Sequence, residues 1–118
     1  MTRPATLFID IDGCLVNHIG DLSALIENPP KLLPGVKEKF NEWDKKGYRI
    51  ILTTGRKESI RSLTEQQLTS LGLFWDVLLM GIGGGPRYLI NDLKPDSDAP
   101  MAIAINLKRN EGLININL

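Results

Sequence analysis

A chain of 118 residues and 13.1 kDa fits one domain, since a domain typically holds about 100–150 residues and a second core would starve both. A content of 42% hydrophobic and 24% charged residues is that of a folded soluble globule and excludes a disordered chain. Fourteen Lys+Arg balance fourteen Asp+Glu, so no global positive field draws the chain onto nucleic acid or an anionic membrane, and neither is an expected partner.

The single cysteine, Cys14, excludes an internal disulfide and a cysteine-based zinc cluster, and one thiol fits a reducing compartment. No apolar run approaches the roughly 20 residues needed to cross a bilayer. The opening MTRPATLFIDID has neither a signal-peptide apolar region nor a small-residue cleavage site. The expectation is a cytoplasmic protein, neither exported nor anchored.

In chain order, Ala5 to Ile11 is a nearly continuous apolar run stopped by Asp12-Gly13, which predicts a first strand buried on both faces. From Asn17 to Leu33 the pattern is irregular around Pro29-Pro30 and reads as a flap-like loop with one short helical turn near Leu22 to Ile26. Pro34-Gly35 opens a helix over Val36 to Lys46, with Val36, Phe40 and Trp43 on one face and Gly47 as its C-cap. Tyr48 to Thr53 is a second buried strand, broken by Thr54-Gly55. Glu58 to Leu71 follows as a helix presenting Ile60, Leu63, Leu68 and Leu71, and ends at Gly72.

Trp75 to Met80, Tyr88 to Ile90 and Met101 to Ile105 are three further strand-like runs. About five short strands alternating with helices or loops are the signature of an α/β fold with a mainly parallel sheet. The closing EGLININL reads equally as an edge strand or a tail.

Chemistry concentrates at the carboxyl ends of these strands, where open α/β sheets place their ligands. Residues two apart on an extended chain point the same way, so Asp10 and Asp12 project together into the crevice. Two adjacent carboxylates repel unless a cation or a shared proton offsets them, and an all-oxygen ligand set suits Mg²⁺. Taken alone, Asp12-Gly13 is equally a simple turn. The second strand ends in Thr53-Thr54-Gly55-Arg56, where a hydroxyl, backbone amides and a guanidinium can hold phosphoryl oxygens. A third strand end, Asn91-Asp92-Leu93-Lys94-Pro95, brings another carboxylate and a lysine. Each has a bland reading as a turn. Three polar strand ends on one edge are much harder to explain that way.

On these residues the chain resembles the haloacid dehalogenase-like superfamily of phosphohydrolases, from about Thr6 to Ile105. Asp10-Ile11-Asp12-Gly13 matches its first motif, Leu33-Pro34-Gly35-Val36 the usual opening of its first helix, Ile50 to Arg56 its second motif, and Leu89-Ile90-Asn91-Asp92 its acidic fourth motif. The resemblance implies a Rossmann-like three-layer α/β/α sandwich over residues 1–118 without a cap domain. Its first strand would be central, flanked by those carrying Thr54 and Asp92. It also implies a Mg²⁺-dependent phosphatase in which Asp10 is the nucleophile that becomes an aspartyl-phosphate and Asp12 the general acid and base. Asp10, Asp12 through its main-chain carbonyl, and Asp92 would hold the metal. Thr54, with Thr53 as its rival, Gly55, Arg56, Arg87 and Lys94 would bind phosphate. The implied partner is a phosphorylated small molecule, with a sugar phosphate of polysaccharide synthesis the first substrate to test, and a homo-oligomer fits a capless site.

The chain departs from the family at four points. Cys14 stands where threonine is usual, and Asn91 replaces the first acid of the fourth motif. The segment Met80 to Arg87 lacks the phosphate-binding lysine of the third motif, for which Arg87 is the favoured replacement over Arg56 and Lys94. Finally, only about eight residues separate the run ending near Leu79 from Tyr88, whereas a parallel crossover needs a dozen or more. The alternative function is a catalytically weak phosphate-binding or regulatory protein of the same fold. A signalling receiver domain fits the length, but the third strand does not close on its phosphoacceptor aspartate.

Overall fold

The computed structural model describes residues 3–118. The elements run β1 (Thr6–Asp10), α1 (Leu22–Glu27), α2 (Val36–Lys45), β2 (Arg49–Thr53), a 3₁₀ turn (Glu58–Ile60), α3 (Arg61–Ser70) and β3 (Val77–Leu79). The three strands form one parallel sheet in the order β1-β2-β3, with Phe8 opposite Ile51 and Asp10 opposite Thr53, then Ile51 opposite Val77 and Thr53 opposite Leu79. Each parallel step is made through helix, as a crossover requires.

Alternation along the strands sets the layers. Leu7, Ile50, Leu52 and Leu78 share one sheet face and are buried with Phe40 and Trp43 of α2 and Leu68 of α3 in a single core. On the other face Phe8 and Leu79 are exposed and Ile51 and Val77 only half-buried. The expected burial of β1 on both faces is therefore corrected: the helices cover one face of the sheet, and that face alone carries the core.

Local chemistry explains the boundaries. Gly35 adopts φ +79 at the start of α2, and Gly47 at φ +73 closes its C-terminus by donating to the Asp44 carbonyl. Helix α3 differs from its expected pattern, because its fully covered positions are Thr64, Gln67 and Leu68 while Ile60, Leu63 and Leu71 are half-buried. Two polar side chains thus occupy the inward face.

Beyond β3 the expected strands at Tyr88 to Ile90 and Met101 to Ile105 are not formed among the described residues, and β1 is an edge strand with β2 on one side only. Apolar side chains from Tyr88 to Ile105 stand in solvent. The chain returns to the body near Leu107, where Asn110 donates to the Gly13 carbonyl and Leu113, itself buried, donates to the Pro34 carbonyl. The closing segment is a packed tail with no strand. No helix among the described residues is long and apolar enough to cross a membrane.

Candidate functional site at the strand tips

The tips of β1 and β2 meet because Asp10 lies opposite Thr53, and the ladder continues with Ile11 N–H donating to the Thr53 carbonyl at 3.2 Å. The chain then turns sharply. Gly13 takes φ +91, and the N–H groups of Cys14, Leu15 and Val16 all donate to the Ile11 carbonyl at 3.2, 2.9 and 3.3 Å. A Cβ on Gly13 would press the Arg109 side chain at 3.2 Å, so both backbone shape and space call for glycine here. This turn fixes Asp12 beside the end of β2.

Asp12 is held from below by a buried arginine. Arg56 donates Nε–H to Asp12 Oδ2 at 3.0 Å and Nη2–H to Oδ1 at 2.7 Å, a bidentate charge-assisted pair. Its Nη1 donates to Thr64 Oγ1 at 3.2 Å and Gln67 Oε1 at 3.0 Å, and Gln67 in turn donates to the Leu25 carbonyl at 3.0 Å. The two buried polar residues of α3 thereby orient the guanidinium. Sequence reasoning missed Thr64 and Gln67. The signal was available: polar residues three apart on a helix face otherwise destined for the core. Thr54, rather than Thr53, faces this cluster. It is buried, its hydroxyl accepts from the Arg56 N–H at 3.1 Å, and it lies 3.5 Å from Asp12 Oδ2.

Asp10 is the freer carboxylate. Half-buried, it faces the Arg87 guanidinium at 4.0 Å. Burial raises its pKa above the ordinary value, with Arg87 and the Ile11 N–H opposing the rise and Asp12 adding to it. The Cys14 thiol is likewise pushed up, first by burial and then by the negative charge of Asp10. The site therefore contains a carboxylate whose charged form burial disfavours.

Of the expected site residues, Asp10, Asp12, Thr54, Arg56 and Arg87 come together. Gly55 adjoins them, with the Ile82 carbonyl 3.2 Å from where its Cβ would stand. Arg56 is engaged by Asp12, Thr64 and Gln67, so it acts on Asp12. Asp92 and Lys94 lie exposed on the segment beyond Arg87, without an ion pair among the described residues. Magnesium takes oxygen ligands in an octahedron. Both Asp12 carboxylate oxygens accept from Arg56, and among the described residues no three His, Cys, Asp or Glu side chains converge to hold a metal.

These elements define an α/β protein with a parallel sheet and a cluster of charged side chains at its strand tips. No family model and no curated protein matches the chain. Among solved structures it is similar to a chain of the Pnkp1/Rnl/Hen1 complex, with 29% identity and a TM-score of 0.57, over 72% of this chain and 30% of that one.

Proposed function

We propose that this chain is a small phosphohydrolase of the haloacid dehalogenase-like kind, a capless α/β domain acting on phosphomonoesters through Asp10. The observation that carries the reading is the division of labour at the tip of β1: Asp12 is clamped by buried Arg56, while Asp10 stands free before Arg87 with its charge disfavoured by burial. One Asp10 oxygen attacks phosphorus, the ester P–O bond breaks, and the alcohol departs with a proton supplied through Asp12 or water. Water then attacks the aspartyl-phosphate at phosphorus, inorganic phosphate leaves and the Asp10 carboxylate returns. Arg87, facing Asp10 at 4.0 Å, is the cation assigned to steady phosphoryl oxygens, with the Thr54 hydroxyl as the second donor of the reading. Mg²⁺, when bound, would be held by Asp10 and the Asp12 main-chain carbonyl and would offset charge on the transferring group.

Phosphate release from p-nitrophenyl phosphate and a panel of sugar phosphates, with and without Mg²⁺, tests the reading. Release that disappears in Asp10→Asn supports it. Absence of release from every substrate favours the second reading, a phosphate-binding or regulatory protein, for which the missing lysine near Asp10 is the specific argument.

A further inference from the structure

The segment between Ile82 and Leu107 leaves the body and comes back to it. Its root is fixed, with Gly81 N–H donating to the Arg56 carbonyl at 2.7 Å and Ile82 N–H to the Thr54 carbonyl at 3.0 Å. Beyond the root, Tyr88 is 85% and Ile90 90% exposed. The molecule measures 52 × 29 × 25 Å and has a radius of gyration of 15.1 Å, against about 13.5 Å for a compact domain of this length. Apolar side chains are held out in water on an arm, and monomeric proteins rarely expose such contiguous patches.

A matching vacancy exists on the body. The outer edge of β1 makes no main-chain hydrogen bonds among the described residues, and Phe8 beside it is 52% exposed. A five-residue open edge flanked by an apolar face is a template for another strand.

The arm does not fill this edge within its own chain. The Arg87 guanidinium stands at the tip, 4.0 Å from Asp10, and Tyr88 is the next residue. A parallel strand on β1 must begin at the opposite end, roughly 16 Å away at 3.3 Å per residue. With Arg87 held at the tip, the segment does not make that return. On a second molecule the obstacle vanishes, because Tyr88 can enter the partner's edge from the far end.

We infer that residues 84–106 are an exchange arm: Tyr88 to Asp92 of one copy lies parallel to β1 of a second copy and sets Asp92 beside that copy's Asp10. The inference rests on the proposed function only for what Asp92 does there. The register is natural, since five residues of arm meet five of β1, Ile90 falls beside Phe8, and Leu89 joins the buried face with Leu7. Exposed large apolar side chains on the arm offer on the order of 100 Å² each, so two exchanged arms approach the roughly 1,600 Å² of a standard interface. Zero formal net charge leaves no long-range repulsion between copies. Reciprocal exchange closes as a two-fold dimer. It also brings a second carboxylate not engaged by Arg56 beside Asp10.

Sedimentation equilibrium of the full chain decides the assembly. The expected result is a dimer, with Ile90→Asp, or Tyr88→Asp should the first variant misfold by circular dichroism, giving a folded monomer. A monomeric parent, or a dimer that survives both substitutions, overturns the inference whether or not the protein is a phosphatase. Mixing Asp10→Asn with Asp92→Asn chains then tests the delivery of Asp92. Each mixed dimer holds one intact site, so an active parent predicts recovery of about a quarter of its rate. An active parent whose mixed dimers recover nothing overturns that delivery. An inactive parent that is still an arm-dependent dimer refutes the enzymatic reading alone.

Discussion

Arg56 grips Asp12 through two parallel hydrogen bonds of 3.0 and 2.7 Å, with its guanidinium nearly fully covered and the carboxylate a quarter exposed. Truncating one partner of such a pair leaves an uncompensated charge in a poorly solvated place. Arg56→Ala is expected to cost about 3 kcal/mol, the lower end of the range because Asp12 keeps some water. That corresponds to a melting temperature lower by on the order of 10 °C. Arg56→Lys keeps the charge but loses the fork and the reach to Thr64 and Gln67, so its loss is intermediate. Thermal melts of both variants check the ranking.

Asp10 yields a stability prediction of opposite sign. Its folded pKa is raised, so the folded state binds its proton more tightly than the unfolded chain does. Its contribution favours folding at low pH and is lost as pH rises through the folded pKa. Asp10→Asn removes the charged form and is expected to raise the melting temperature at pH 7, with the gain fading as pH falls below the ordinary carboxylate pKa. A variant that loses stability at pH 7 contradicts the burial argument. Under the proposed function, activity and stability oppose one another at this residue.

Arg87 stabilises the ionised form of Asp10. Arg87→Ala is expected to move the acid limb of the pH–rate profile to higher pH and to lower kcat/KM by roughly tenfold, the worth of one charge-assisted hydrogen bond. Arg87→Lys restores part of the rate and most of the limb position. A profile unchanged by either substitution removes Arg87 from the site.

Gly112 sits at φ +83, where a Cβ would overlap the Pro34 carbonyl, whereas Gly47 at φ +73 has open space around it. Gly47→Ala therefore costs only the left-handed backbone, about 1 kcal/mol. Gly112→Ala adds displacement of the tail that buries Leu113, and is expected to cost at least about 2 kcal/mol. Denaturant midpoints of the two variants compare the costs directly.

Much of this was legible in the residues. The apolar run ending at Asp10, the Pro34-Gly35 opening and the Gly47 and Gly72 stops marked the first two strands and their helices, because periodicity and cap chemistry are local. Tyr88 to Ile90 and Met101 to Ile105 carry the same apolar signal without forming strands. An apolar run states a demand for burial and says nothing of which surface meets it. The site followed the same rule. Asp10, Asp12 and Thr54 are fixed by strand register, which sequence encodes, whereas the partner of Arg56 depended on where α3 brings Thr64 and Gln67, and that is a tertiary fact.

The most direct measurement is acid quenching of the protein during turnover of a phosphomonoester, followed by mass spectrometry of its peptides. A phosphoryl adduct on the peptide bearing Asp10, lost in Asp10→Asn and discharged by water when substrate is withdrawn, is the predicted result. Turnover with no adduct on that peptide, or an adduct that persists in Asp10→Asn, contradicts the account.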